Sequence, residues 1–338
     1  MNKKKLIWQL PFLILLIVGT VLIIRQQQSV PFKKHEGMIF GTTYHIAYQC
    51  DSDLSVGIRA ELEKVDASLS PFNPNSIITA VNQNQDVELN EMFLTVYQKA
   101  MAVSADTEGA FDITVAPLVN AWGFGFKNGT RPDKHQVDSL LKIIGYKKVA
   151  LRDGKVVKDD PRIMLDCSAI AKGFGTQVAA DYLRSQGVKN FMVEIGGEIV
   201  TSGVNESRLP WKIGVTKPVD DSLSVGHDLQ TVLNVTDKAM ATSGNYRNFY
   251  YEGGKKLAHT IDPQTGYPVQ HSILSATVLA DDCATADAYA TSFMVMGLER
   301  AKTLLERHPE LMAYLIYSDE KGQNAVWFSP SLKDKIAE

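Results

Sequence analysis

Val149-Ala150-Leu151-Arg152-Asp153-Gly154-Lys155-Val156-Val157-Lys158 is the point at which the texture of the chain changes. Two short β-branched runs flank Asp153-Gly154, a dipeptide suited to the positive φ angles of a tight hairpin turn. Upstream, apolar residues recur at helical spacing. Ile58, Leu62, Val65 and Leu69 share one face of a predicted helix over 53–69, and Asn90 stands where an N-cap belongs for a second over 90–105. Shorter helical stretches follow at 111–122 and at 133–144, the latter stopped by Gly145. Ahead of them, Met38 to Gln49 reads as one strand. Downstream, strands at 163–166, 191–195, 199–202, 211–216, 230–235, 257–261, 272–280, 312–317 and 325–328 are interrupted by helices at 168–186, 284–297 and 298–306. Helices dominate the first third and strands the middle, with no linker between them. The expectation is one α+β domain over 37–332, its two halves intertwined.

The N-terminus carries a different signal. Lys3, Lys4 and Lys5 precede an apolar run from Leu6 to Ile24, closed by Arg25. The run is long enough to cross a bilayer as a helix, and the lysines favour a cytoplasmic N-terminus. Residues 1–25 are therefore expected to anchor the chain in a bacterial inner membrane. Residues 26–36, with Pro31, read as a polar tether, and the main domain is expected to face the periplasm. A cleaved signal peptide is the alternative, although no small-x-small cleavage site follows the run. The 338 residues are 45% hydrophobic and 22% charged, an ordinary globular composition, and the net charge of −3 argues against a general nucleic-acid binder. Cys50, Cys167 and Cys283 form no CxxC pair, which excludes a zinc ribbon or a thioredoxin-type motif.

Several stretches carry chemistry. In Leu165-Asp166-Cys167-Ser168-Ala169-Ile170-Ala171-Lys172-Gly173 a helix N-terminus and Lys172 suit a phosphate or pyrophosphate; a capped helix with a solvated lysine fits the same pattern. In Asp281-Asp282-Cys283-Ala284-Thr285-Ala286-Asp287-Ala288-Tyr289-Ala290-Thr291, Asp287 and Thr291 lie four apart on one helix face. That is hard-oxygen ligation suited to Mg²⁺, or simply an acidic helix start. His259-Thr260-Ile261-Asp262-Pro263 could present His259 and Asp262 to a nucleophilic hydroxyl, or be an Asp-Pro turn. Glu194-Ile195-Gly196-Gly197-Glu198 permits a close backbone approach to a ligand, or marks a bulge, and Ala241-Thr242-Ser243-Gly244-Asn245-Tyr246-Arg247 reads as a polar ligand-facing turn with Arg247 near phosphate, or as a plain hairpin turn. Gly109-Ala110-Phe111-Asp112 through Trp122-Gly123-Phe124-Gly125 sets aromatics beside glycines, as a planar ring system requires.

Taken in order, these blocks, with Gly41-Thr42, Ser70-Pro71-Phe72 and Thr265-Gly266, closely resemble the ApbE family, the FAD:protein FMN transferases. The resemblance covers nearly everything after the N-terminal segment. It implies an ApbE-like, T-fold-like domain and a Mg²⁺-dependent transfer of FMN from FAD to a Thr or Ser hydroxyl of an exported or membrane-bound acceptor protein, with release of AMP. It implies Ala169, Asp287, Ala290 and Thr291 as the Mg²⁺ site. It implies Met38, Phe72, Ala121, Trp122, Gly123, Asp166, Lys172 and His259 as FAD contacts, with His259 and Asp262 near the reacting phosphate. The acceptors of such enzymes are typically electron-transfer subunits. Two rival readings use the same residues: an FAD pyrophosphatase giving FMN and AMP, and a non-catalytic FAD-binding protein. Cys50, Cys167 and Cys283 are expected as buried small apolar residues; if Ala169 and Asp287 share a metal, Cys167 and Cys283 come near each other, and a disulfide between them is the lesser alternative.

Overall fold

Side chains alternate across eight strands, and that alternation sets the architecture. The strands are Phe32–Ile39 (β1), Thr42–Gln49 (β2), Phe191–Ile195 (β3), Glu198–Ser202 (β4), Ala239–Gly244 (β5), Ile273–Ala280 (β6), Met312–Ser318 (β7) and Asn324–Phe328 (β8). They lie side by side in chain order in one sheet, and each neighbouring pair is antiparallel. The structure, a computed structural model, describes residues 3–125, 131–218, 229–244, 249–252, 255–258, 260–269 and 273–337. The helices are Lys3–Ser29 (α1), Ser55–Leu69 (α2), Ile77–Asn82 (α3), Glu91–Asp106 (α4), Ala116–Ala121 (α5), Lys134–Leu141 (α6), Ser168–Ser185 (α7), Cys283–Met296 (α8) and Leu298–Arg307 (α9).

One face of the sheet presents Val193, Val200, Ala241 and Val278 to α7 and α8. The opposite face presents Ile199, Met240, Leu279 and Ile316 to a hairpin of strands Lys212–Thr216 and Leu229–Asn234. Adjacent residues such as Ile199 and Val200 thus enter different cores. The strands are apolar on both faces because both faces are covered. α8 lies at the centre of the molecule. It is buried nearly all round and correspondingly Ala-rich, as a helix enclosed by other elements must be. α2 buries the predicted Ile58, Leu62, Val65 and Leu69, each worth roughly 1.5–3 kcal/mol. Asn90 caps α4 through Phe93 N–H, and Asp133 and Gln136 close a capping box on α6.

Four local readings change. Met38 to Gln49 is a hairpin with its turn at Phe40-Gly41, both at positive φ (52° and 72°). A phenylalanine gives no warning of such a turn, since its left-handed backbone costs about 1–2 kcal/mol. The ring packs against α7 at Gly175, where a Cβ would lie 2.5 Å from it, and that burial offsets the strain. The segment read as tether supplies residues 32–36 to β1. Ile163 to Asp166 is not a strand: Leu165 exchanges both backbone hydrogen bonds with the Asn82 carboxamide (2.7 and 2.8 Å), and Asp166 N–H donates to Ile113 O. The stretch from Ala241 read as a turn is instead β5, an inner strand, whose small residues let α8 lie close; 245–247 fall outside the described residues.

The backbone of α1 is helical from Lys3 to Ser29. Side chains are described over 10–25, about 24 Å of helix against a hydrocarbon core of about 30 Å. Among the described residues, no helix is long and apolar enough to cross a membrane.

Candidate functional site

α7 and α8 meet at Gly173. A Cβ there would stand 2.3 Å from Cys283 O and 2.7 Å from the Asp287 Cβ, so the backbones touch only because the residue is glycine. The approach lets Gly173 N–H donate to Asp287 Oδ2 at 2.9 Å. Asp287 is 3% exposed, yet it lines a cavity of roughly 590 Å³, within the usual range for cofactor sites. Among the described residues its Oδ1 receives no hydrogen bond. One turn on, Thr291 Oγ1 lies 3.0 Å from Ser243 Oγ of β5, and Ala169 of α7 borders the same space.

Lys172, next to Gly173, reaches across to Glu198 at the start of β4, with Nζ 2.7 Å from Oε2. Glu198 is only 2% exposed. Burial raises the carboxyl pKa of both Glu198 and Asp287. Burial alone would lower that of Lys172, but the two carboxylates beside it more than offset this and keep the ammonium protonated. Glu194 braces the Gly196-Gly197 turn: Oε1 accepts Gly197 N–H at 2.6 Å, and Oε2 pairs with His45 Nδ1 at 2.6 Å. Asp166 Oδ1 accepts Ser168 N–H at 2.8 Å, so the first turn of α7 is partly capped by its own preceding carboxylate, which burial pushes up in pKa. Among the described residues, no three His, Cys, Asp or Glu side chains form a metal-binding cluster.

The cavity unites Phe72, Asp166, Ala169, Lys172, Asp287 and Thr291 from the predicted set. Met38, Ala121, Trp122, Gly123, Ala290 and Asp262 are not on its wall. Met38 is 65% exposed on the edge strand β1 and lies off the cavity wall. Trp122 is buried, its Nε1 donating to Gly266 O at 2.9 Å and its ring tilted on Tyr267. Ala121, Trp122 and Gly123 leave the wall to Val119, Phe124 and Gly125. Ala290 is fully buried in the core. Asp262 spends both oxygens on its own turn, Oδ1 on Gln264 N–H and Oδ2 on the Thr265 hydroxyl, while Thr260, Ile261 and Pro263 around it line the cavity. His259 lies outside the described residues. Cys167 and Cys283 are buried free thiols, as expected, and not the alternative disulfide; Cys283 Sγ points at the carbonyls of Ile199 and Met240. Ala110 to Ile113, Glu198 and Thr242 also line the wall, each within a stretch that the sequence marked for a ring or a ligand. Glu198 was visible beside its two glycines, but its link to Lys172 spans 26 positions.

Comparison with known proteins places this geometry in context. The model of the ApbE family matches residues 40–316. The chain is 40% identical over 297 residues to the FAD:protein FMN transferase of Vibrio cholerae serotype O1, covering 84% of this chain and 87% of that one. It is 31% identical to the protein of the same name from Escherichia coli K12, covering 91% and 92%. Among solved structures it resembles the flavin transferase ApbE from Vibrio cholerae with a TM-score of 0.81 at 36% identity, over 90% of this chain and 99% of that one. The apo flavinyl transferase ApbE of Pseudomonas stutzeri gives 0.80 at 26% identity, over 90% and 97%.

Proposed function

The chain belongs to the ApbE family, and from that premise we propose that it is an FAD:protein FMN transferase, moving the FMN half of FAD onto a hydroxyl of an acceptor protein. The observation that carries the reading is the buried Asp287 carboxylate facing a cofactor-sized cavity beside Lys172. In the reaction, a Thr or Ser Oγ of the acceptor forms a bond to the FMN-side phosphorus. The pyrophosphate P–O bond breaks, and AMP leaves with the electron pair. Lys172 offers its ammonium to the charge that develops on the phosphate oxygens. Phe72 and Phe124 line the cavity and give it the aromatic character that suits a ring system. His259 is the proposed acceptor of the hydroxyl proton. Asp262 serves by shaping the turn that follows, since both its oxygens are engaged there.

Mg²⁺ fits the donors that are present. Asp287 and Thr291 supply hard oxygens, Ala169 borders them, and the one ammonium beside Asp287 is taken by Glu198, leaving the Asp287 carboxyl without a cationic partner of its own among the described residues. Mg²⁺ takes further ligands from water and phosphate, so a sparse protein donor set is enough to hold it. When bound, it would neutralise pyrophosphate charge as a Lewis acid.

The proposed setting is a bacterial inner membrane, with Leu6 to Ile24 spanning it and the catalytic domain in the periplasm. Lys3 to Lys5, and the exposure of Phe12, Leu15, Leu22 and Ile23 on α1, support that reading. An exported electron-transfer subunit is the proposed acceptor.

The test mixes the protein with FAD, Mg²⁺ and a candidate acceptor, and follows AMP release together with in-gel flavin fluorescence. AMP with a fluorescent acceptor is expected. AMP with free FMN and unlabelled protein would mean hydrolysis, and bound FAD without AMP would mean a binding protein.

A further inference from the structure

Lys172 stands between two buried carboxylates and is bonded to one. Asp287 Oδ2 takes its hydrogen bond from the amide that joins Lys172 to Gly173, so the Lys172 backbone lies directly beside it. A four-carbon side chain starting there can reach Asp287 as readily as Glu198. The ammonium nevertheless sits on Glu198 at 2.7 Å, and Asp287 keeps Oδ1 open to the cavity among the described residues. Glu198 is the first residue of β4, fixed in the sheet by pairing with Ile195, and it is more buried than its partner lysine.

We propose that Glu198 is a positioning residue that holds Lys172 away from Asp287 and so keeps the Asp287–Thr291 pocket open for a divalent cation. This rests on the reading of Asp287 and Thr291 as cation ligands. The physical basis is competition. An unpaired ammonium in a poorly solvated cavity goes to the nearest carboxylate, because a buried charge without a partner is costly. With Glu198 gone, the nearest carboxylate is Asp287. Lys172 would then occupy the cation's place and neutralise its ligand. Glu198 therefore acts through Lys172, with no need to touch substrate or metal.

The experiment titrates the full-length protein with Mn²⁺ alone and reads free Mn²⁺ by electron paramagnetic resonance. Five proteins are compared: wild type, Glu198→Ala, Glu198→Gln, Lys172→Met and Glu198→Ala/Lys172→Met. Glu198→Ala is expected to weaken Mn²⁺ binding by about tenfold or more, since a cation would have to displace an ammonium from its ligand. Lys172→Met is expected to bind at least as tightly as wild type. The double variant is expected to regain wild-type binding, because the competing lysine is absent; a structural defect at Glu198 would not be rescued this way. Glu198→Gln keeps the volume and removes the charge, should fall between wild type and Glu198→Ala, and serves if the alanine variant is unstable. Unchanged binding in both Glu198 single variants overturns the inference and leaves the cation reading intact. A loss that the double variant retains also overturns it. Failure of the wild type to take up Mn²⁺ overturns the inference and the cation reading together.

Discussion

Asp287 and Asp262 both stand in motifs with catalytic promise, and the structure treats them in opposite ways. Asp262 lies in an exposed turn and uses each oxygen locally, on Gln264 N–H and on the Thr265 hydroxyl. Asp287 is buried where two helices touch; one oxygen is held by Gly173 N–H, and the other faces the cavity. The difference teaches that a carboxylate's chemical value lies in the acceptor capacity its neighbours leave unused. A turn aspartate stabilises itself by using that capacity. A buried one with an oxygen to spare is held at an energetic cost, which the proposed cation would relieve.

The largest expected effect is at Asp287. Asp287→Ala should cut AMP release by about a thousandfold, roughly 4 kcal/mol of transition-state stabilisation. A loss of tenfold or less in a folded variant would erase the contrast with Asp262.

Gly173→Ala tests the contact that makes the contrast possible. The added methyl meets the Cys283 carbonyl at 2.3 Å, so α7 and α8 must separate. The expected cost is about 1–3 kcal/mol of stability, read as a lowered melting temperature, together with weakened Mn²⁺ binding.

Asp262→Ala should behave differently from both. Loss of two turn hydrogen bonds predicts about 1 kcal/mol of destabilisation, with the rate of AMP release within about threefold of wild type. A hundredfold fall in rate at unchanged melting temperature would promote Asp262 from turn residue to catalytic partner.

The smallest effect concerns a third carboxylate, Asp106, remote from the cavity wall. It accepts from the Tyr289 hydroxyl at 2.8 Å and pairs with His308 Nε2 at 3.1 Å, while His308 Nδ1 pairs with Glu310 at 2.9 Å. Burial pulls the His308 pKa down, but its bonds to Glu310 and Asp106 outweigh that and hold it above the ordinary value. A raised folded-state pKa means that the stabilisation is full below the unfolded value, near 6.5, and is lost as pH rises through the folded one. Chemical denaturation at a series of pH values should show this slight decline, and His308→Gln should flatten it.

Much of the fold was legible because its signals are local. The α2 stripe, the Asn90 cap and the Asp153-Gly154 hairpin depend on residues within a few positions of one another, and each forms as read. The misreadings share a cause as well. Phe40 adopts a glycine-like backbone where its ring packs, partly buried, on α7, well over a hundred positions away. Leu165 forgoes a strand partner because the Asn82 carboxamide replaces one. The stretch from Ala241 to Gly244 looks like a turn by composition and is an inner strand because α8 needs small neighbours there. At the site, Asp287, Thr291 and Lys172 were recognisable from residue type and helical spacing, and Ala169 only from the family resemblance. Trp122 was not separable from a ring-stacking residue, since only the fold directs its N–H to Gly266.

By itself, then, the order of residues determined the helix faces, the caps, the hairpin and the donor types of the site, because period, capping and turn chemistry act over a few residues. Only the tertiary structure decided which donors remain unspent. The pairing of Lys172 with Glu198, the self-satisfied Asp262 and the open oxygen of Asp287 all depend on which distant groups are brought within hydrogen-bond distance, and a hydrogen bond forms or fails over a fraction of an ångström.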